Sequence, residues 1–176
     1  PQSEVAGYWH AEVPDFRANA KRLQAAPLTR AEAPVSFASK DGSIEITIGP
    51  DGSAVLKRDG KTVSQPNSRP WSVYDWTKGV LVTGEAAEEG KRHPLDNMKP
   101  LGPSELLLWS SENPFRVIVK ITGKRRHLNF ELVHVSNDPK SGHLTGAWQG
   151  HRVEFNLDTA EQRDGWKLNT MLLNPM

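Results

Sequence analysis

The sequence contains no cysteine among its 176 residues. The absence of thiols excludes a disulfide framework, a zinc site built on thiolates and a cysteine nucleophile. It leaves the compartment open, because cysteine-free chains occur on both sides of a bacterial membrane. The stability of this chain must therefore come from ordinary burial and hydrogen bonding.

Long apolar runs and an excess of charge of one sign are also lacking. The apolar stretches are short, such as residues 106–109, whereas a membrane-spanning helix needs about 18–20 apolar residues. Lys and Arg number 22 and Asp and Glu number 21, which gives a net charge of +1. This balance gives no general electrostatic basis for binding nucleic acid, so we expect no membrane span and no nucleic-acid partner. The basic run at 124–127 is expected to be a solvated loop tip.

Short motifs that identify common enzymes are missing as well. The sequence has no Gly-x-Ser-x-Gly, no phosphate-binding Gly-x-x-x-x-Gly-Lys and no His-Glu-x-x-His. None of the six histidines forms the His-x-His alternation that a metal site on a strand commonly uses. We therefore expect neither a metal nor another cofactor, and a non-enzymatic role is favoured.

Residues 1–33 differ from the remainder because they are rich in Ala, Arg and Pro and poor in β-branched residues. Asp15 can cap a helix over 16–26, in which Phe16, Ala20 and Leu23 share one face, and Pro27 ends it. The sequence thus predicts an N-terminal arm, partly helical and partly extended, that lies across the main domain or on a partner protein.

From residue 34 onward the apolar residues recur at every second position. Ile44, Ile46 and Ile48 alternate with polar residues, and turns follow at residues 51–52 and 59–60, both Asp-Gly. Glycine accepts the positive φ that a tight hairpin imposes, so this region is predicted to be a β-meander.

A second hairpin is predicted at 115–132, with a turn at 123–126. Further strands are expected at 71–76, 79–83, 104–110, 152–157 and 166–173, whereas 84–103 has no clean period and is predicted to be a long loop. This spacing favours an all-β antiparallel β-sandwich over residues 34–176, with a closed β-barrel as the alternative.

Tryptophan is unusually frequent, with six residues. Indoles fill the space between packed sheets, but an exposed indole also stacks against the apolar face of a sugar ring. In the strand at 71–76, Tyr74 and Trp76 point to one side and Trp71 to the other. If the Trp71 side is buried, Tyr74 and Trp76 form an exposed pair near Arg69. The predicted carbohydrate-binding residues are Trp76, Tyr74, Arg69 and Trp148.

An alternative is a glycan-acting hydrolase that uses carboxylates on strands or loops. Its candidate catalytic residues are Glu131, Asp75 and His134. His134 continues the face of Leu128 and Leu132, which predicts a polar group at the end of a buried row. Glu154, between two apolar residues, is expected on the solvated face of its strand.

The hairpins at 43–53 and 58–61, together with residues 113–117, resemble segments of β-sandwich domains that accompany bacterial glycosidases. The likeness covers a small part of the chain and assigns no residue. With the tryptophan content, it leads us to expect a soluble, secreted or periplasmic domain that binds carbohydrate or polysaccharide. The remaining alternative is an interaction subunit that docks on a protein partner through residues 1–33.

Overall fold

A computed structural model of the chain describes residues 16–25, 27–76, 91–142 and 150–157. Within these ranges it contains the helix α1, Phe16–Ala25, and eleven strands. The strands are β1 (Val35–Ala38), β2 (Ile44–Ile48), β3 (Ala54–Arg58), β4 (Lys61–Thr62), β5 (Trp71–Trp76), β6 (Lys91–Pro94), β7 (Asn97–Pro100), β8 (Glu105–Trp109), β9 (Arg116–Gly123), β10 (Leu128–Ser136) and β11 (Gly150–Phe155). The strands predicted at 79–83 and 166–173 lie outside the described residues.

All strand pairs are antiparallel and belong to three sheets, in the orders β1-β2-β3-β4, β10-β9-β8-β7 and β11-β5-β6. None of the three closes into a barrel within the described ranges. The prediction of an all-β, sandwich-like antiparallel fold is therefore confirmed, and the closed barrel is not the arrangement found.

The first sheet follows its sequence pattern closely. Ile46 and Ile48 have no exposed surface, as the alternation of apolar residues predicts. At the β3–β4 turn, Asp59 and Gly60 have φ values of 49° and 77°, and the two residues flanking them pair directly. Two successive positive φ values are what a two-residue hairpin turn requires, so the Asp-Gly prediction is confirmed here.

One apolar core joins all three sheets. Its members lie on the inward faces of β1 to β3, of β5 and β11, and of β7 to β10; among those with the least exposed surface are Ile46, Ile48, Val73, Met98, Leu106, Leu108, Val117 and Val119. Burial of these side chains is the main stabilising contribution, at roughly 1.5–3 kcal/mol for each large residue.

The sheet β10-β9-β8-β7 is buried on both faces. Leu106 and Leu108 face the shared core, whereas Leu107 and Ile118 face the other way and form a second cluster with Leu23 of α1. All five side chains have no exposed surface. A strand covered on both sides reads as a continuous apolar run, which explains the sequence of β8.

Polar contacts hold α1 on this sheet. The guanidinium of Arg116 donates to the carbonyl oxygen of Leu23 at 2.8 Å and so satisfies one of the unpaired carbonyls at the helix end. Arg22 forms a 2.5 Å ion pair with Glu105 on β8. The apolar side of α1 thus lies against its own domain, the first of the two dispositions predicted for the arm. In the part of the chain that the structure describes, no helix has the length and apolar character needed to span a bilayer.

Strand β10 contains a bulge that changes the direction of its side chains. Leu132 pairs with Val119, and the next paired residue is His134, opposite Ile118, so that Val133 is extra. An extra residue reverses the alternation. The prediction that His134 continues the face of Leu128 and Leu132 is therefore wrong, because His134 lies on the face that α1 covers.

The predicted loop at 84–103 is also different from expectation. Residues 84–90 lie outside the described part of the chain, but residues 91–94 form β6 and residues 97–100 form β7. These two short strands pair with β5 and β8, in different sheets. The loop prediction failed because both strands are rich in polar residues and take their conformation from partners distant in sequence.

Candidate functional site

The orientation of β5 determines which aromatic residues are available to a ligand. Trp71 is 2% exposed and Val73 has no exposed surface. The Trp71 ring packs 4.6 Å from the ring of Phe155 and 6.0 Å from that of Phe130, measured between ring centres. Tyr74 lies on the opposite side of the strand and is half-buried. The Trp71 side of β5 is thus the buried one, which is the condition that the sequence set for an aromatic pair at Tyr74 and Trp76.

The tryptophan content has a structural explanation in part. Trp71 and Trp109 are both buried, which confirms core packing for these two indoles. The backbone position of Trp76 has the same parity as Tyr74, and its side chain lies outside the described residues. Trp148, another predicted ligand-binding residue, lies in the undescribed segment 143–149.

Charged side chains border Tyr74 on what we call the outer face, the side of β11-β5-β6 that bears Ser72, Tyr74, Arg92 and Glu154. Arg92 lies opposite Tyr74 in the β5–β6 ladder, with its guanidinium carbon 5.5 Å from the centre of the Tyr74 ring. Its Nε donates to Glu154 at 2.6 Å. This arrangement holds a cation directly beside an aromatic ring.

Glu154 is 1% exposed, so the expectation that it lies on a solvated face is wrong. The hydrogen bond with Glu154, and the negative charge of its carboxylate, raise the pKa of the Arg92 guanidinium above its usual range. The Ser72 hydroxyl lies 3.4 Å from the same carboxylate. A buried carboxylate is costly unless it is paired, and Arg92 supplies that pairing while its own side chain stays 61% exposed.

Arg69 is not brought close to Tyr74. It forms a 3.1 Å ion pair with Asp51 in the β2–β3 turn, and both side chains are largely exposed. Arg69 and Tyr74 are five positions apart, which corresponds to about 16 Å of extended chain at roughly 3.3 Å per residue. Arg69 could contact the same ligand only if that ligand extended along the strand.

The three candidate catalytic residues have different surroundings. Glu131 is exposed and lies 3.8 Å from Lys120 on the neighbouring strand. His134 is 4% exposed, with its Nε2 2.8 Å from the carbonyl oxygen of Gly142. Asp75 is on β5, in another sheet, and its side chain lies outside the described residues. The described geometry places Glu131 in solvent and His134 in packed surroundings.

Sequence reasoning missed Arg92, and it missed the burial of Glu154. The side of the strand on which Glu154 lies was visible in the sequence, since Glu154 alternates with the core residues Val153 and Phe155. For Arg92 the local sequence carries no such pattern, because β6 is short and its identity as a strand depends on pairing with β5.

A second candidate surface is an open cleft of about 760 Å³ between the β2–β3 hairpin and the strands β10 and β11. Apolar side chains form its walls, among them Ile44, Leu56, Leu128, Phe130 and Phe155. Its rim is polar and carries Asp41, Arg58, Asp59, Arg126 and His127. Clefts of this size and composition are typical of small-molecule sites.

Within the described ranges, no three His, Asp or Glu side chains come together in a way that could hold a metal ion. Comparisons of the chain with models of protein families, with curated protein sequences and with solved structures find no match.

Proposed function

We propose that this chain is a non-catalytic carbohydrate-binding domain that holds a polysaccharide on the outer face. The observation that carries the proposal is the orientation of β5. Because Trp71 and Val73 are buried, Tyr74 and the same-parity position of Trp76 belong to the face away from the core. Two aromatic residues two positions apart on a strand are about 7 Å apart, a spacing that suits stacking on a sugar chain.

Arg92 supports the same proposal. Its exposed guanidinium is held by Glu154 beside the Tyr74 ring. A guanidinium has five N–H groups, so those that do not bind Glu154 can donate hydrogen bonds to sugar hydroxyls. A side chain that is already held in place loses little conformational entropy when a ligand binds. Glu154 is buried, so in this proposal it positions Arg92 and does not contact the ligand.

The proposal is tested by isothermal titration calorimetry and affinity electrophoresis of the full chain against a panel of neutral and acidic polysaccharides. We expect Trp76→Ala and Tyr74→Ala each to weaken binding about tenfold or more, as truncation of an aromatic anchor does. Arg92→Ala should weaken it severalfold.

Arg125→Ala is the matched control for Arg92→Ala, because it removes the same charge from the exposed loop between β9 and β10, which belong to another sheet. It should leave polysaccharide affinity unchanged. The proposal is contradicted if the intact chain binds no member of the panel, or if Tyr74→Ala and Trp76→Ala bind as well as the unmodified chain.

A further inference from the structure

The cleft has apolar walls that the fold leaves incompletely covered. Leu56, Leu128 and Phe130 pack against the shared core but are only half-buried. Ile46 and Phe155 lie deeper in the same walls and are buried. Further burial of the half-exposed groups would be favourable, because each buried methylene group contributes about 0.8 kcal/mol in transfer from water.

The charged side chains that line the cleft are balanced, Arg58 and Arg126 against Asp41 and Asp59, but the segments that carry them have an excess of positive charge. Two hydrogen bonds join the 38–43 segment to the β9–β10 loop, from Lys40 N to Lys124 O and from Asp41 N to Arg125 O. These two segments and the β3–β4 turn together carry the cationic residues Lys40, Arg58, Lys61, Lys124, Arg125 and Arg126. Their acidic residues are Asp41 and Asp59. Cations thus exceed carboxylates by four here, although the whole chain has a net charge of only +1.

We propose that this cleft binds a free, single-chain anionic amphiphile, of which a medium-chain fatty acid is the simplest example. The alkyl chain would lie on the apolar walls, and the carboxylate would lie at the rim beside Arg58 and Arg126. The cleft is open on one side, and its volume of about 760 Å³ is that of a site for one small molecule, which favours a free amphiphile over a bilayer surface.

Arg126 and Arg58 are the cations that line the cleft directly. Arg126 is 83% exposed on its side chain and lies 3.6 Å from Asp41, a weak contact that a carboxylate ligand could replace. A guanidinium can bind a carboxylate through two parallel hydrogen bonds, which suits it to an anionic head group. This site is on the opposite side of the β5 sheet from Tyr74, so the inference is independent of the proposed carbohydrate function.

The test uses calorimetry of the full chain with octanoate, decanoate and dodecanoate below their micellar concentrations. We expect saturable binding at one site, tightening about fourfold for each added methylene until the cleft is filled. Decyltrimethylammonium, with the same alkyl chain and the opposite charge, should bind at least tenfold more weakly than decanoate. Equal binding of these two ligands would overturn the inference, as would the absence of saturable decanoate binding.

The neighbouring residues Leu56 and Val55 provide a matched pair of variants. Leu56 lines the cleft, and Val55, on the other side of the same strand, is 36% exposed. We expect Leu56→Trp to fill the cleft and weaken decanoate binding by about tenfold or more, and Val55→Trp to leave it unchanged. Equal effects of the two variants would place the binding site elsewhere.

Charge reversal gives a second test that does not disturb the walls. Arg126→Glu should weaken decanoate binding about fivefold, with the loss reduced at high salt, whereas Lys140→Glu, at an exposed position beyond the end of β10, should change it less than about twofold. Loss of binding in both variants would show a non-specific electrostatic effect and would overturn the assignment to the rim.

Discussion

The two ends of strand β10 have different surroundings, and the more polar end is the more buried. At its beginning, Leu128 and Phe130 are half-buried in the wall of the cleft. At its end, His134 and Ser136 are 4% and 0% exposed although both are polar. Burial along this strand is thus not set by the hydrophobicity of its own residues.

The difference comes from what covers each end. The end of β10 lies beneath α1 and the turn at Gly142, whose carbonyl oxygen is 2.8 Å from His134 Nε2. A Cβ placed on Gly142 would lie 2.3 Å from the carbonyl oxygen of Ala20, so the turn and the helix are in direct contact. At the beginning of the strand, the cleft leaves Leu128 and Phe130 half-buried. The covered end is therefore suited to stability and the open end to binding.

The largest expected effect is the difference in stability loss between an alanine truncation on the helix-covered face and one in the wall of the cleft. Leu107→Ala, on the helix-covered face, should lower the free energy of unfolding by about 3 kcal/mol, because a fully buried leucine leaves a cavity. Leu128→Ala should lower it by roughly 1 kcal/mol, since part of that side chain is already in water.

Urea unfolding followed by tryptophan fluorescence measures both changes. The midpoint should move much further for Leu107→Ala, with a similar slope in both variants. Equal losses of stability would mean that the cleft wall is as well packed as the helix-covered face, and the contrast between these two surroundings would fail.

Much of the fold could be predicted from sequence because its determinants are local. The alternation at Ile44, Ile46 and Ile48 fixes a strand and its inward side, and an Asp-Gly pair fixes a hairpin turn. The apolar side of α1 is likewise visible in the spacing of Ala20 and Leu23, both buried in the structure. In each case, neighbours within a few residues carry the information.

The features that could not be predicted depend on contacts between distant segments. The bulge that turns His134 toward α1 is a shift of register between β10 and β9, and no residue in β10 indicates it in the sequence. The burial of Glu154 depends on Arg92, which is 62 residues away in sequence. For this reason the outer face was incompletely predicted and the cleft was not predicted, since each is assembled from several strands.

The contact between α1 and the Gly142 turn gives the next largest effect. Gly142 and Gly42 have φ values of 70° and 73°, but a Cβ on Gly42 would meet nothing within 4 Å. Gly42→Ala should therefore cost only the strain of a left-handed alanine, about 1 kcal/mol. Gly142→Ala should cost roughly 2–3 kcal/mol, because the methyl group also pushes on the helix.

Limited proteolysis distinguishes displacement of α1 from a general loss of stability. Trypsin should cleave the Gly142→Ala variant after Lys21 faster than the Gly42→Ala variant under native conditions, because a displaced helix exposes its backbone. Similar cleavage rates at this site in the two variants would indicate that α1 is not held by the Gly142 turn.

The smallest effect concerns Asp41, at the open end of β10. Hydrogen bonds from the Ser43 hydroxyl and amide, and from Ser39, lower the pKa of Asp41 from 3.8 to about 2, and the charge of Arg126 contributes least. A carboxyl group with a lowered pKa in the folded state stabilises the fold above the unfolded pKa. That contribution should be lost as the pH falls from about 4 to about 2. The stability difference between the unmodified chain and Asp41→Asn should therefore shrink over this interval.

The relative size of the causes that lower the pKa of Asp41 can be tested as well. If hydrogen bonds from the turn set the pKa of Asp41, Ser43→Ala should raise it more than Arg126→Ser does, as measured by NMR titration of the Asp41 carboxyl carbon. A larger shift in Arg126→Ser would mean that the ion pair dominates. Arg126 would then be committed to Asp41 rather than available to an anionic ligand. The same titration thus tests whether hydrogen bonds within the β1–β2 turn, rather than Arg126, set the pKa of Asp41. If they do, Arg126 is available to an anionic ligand.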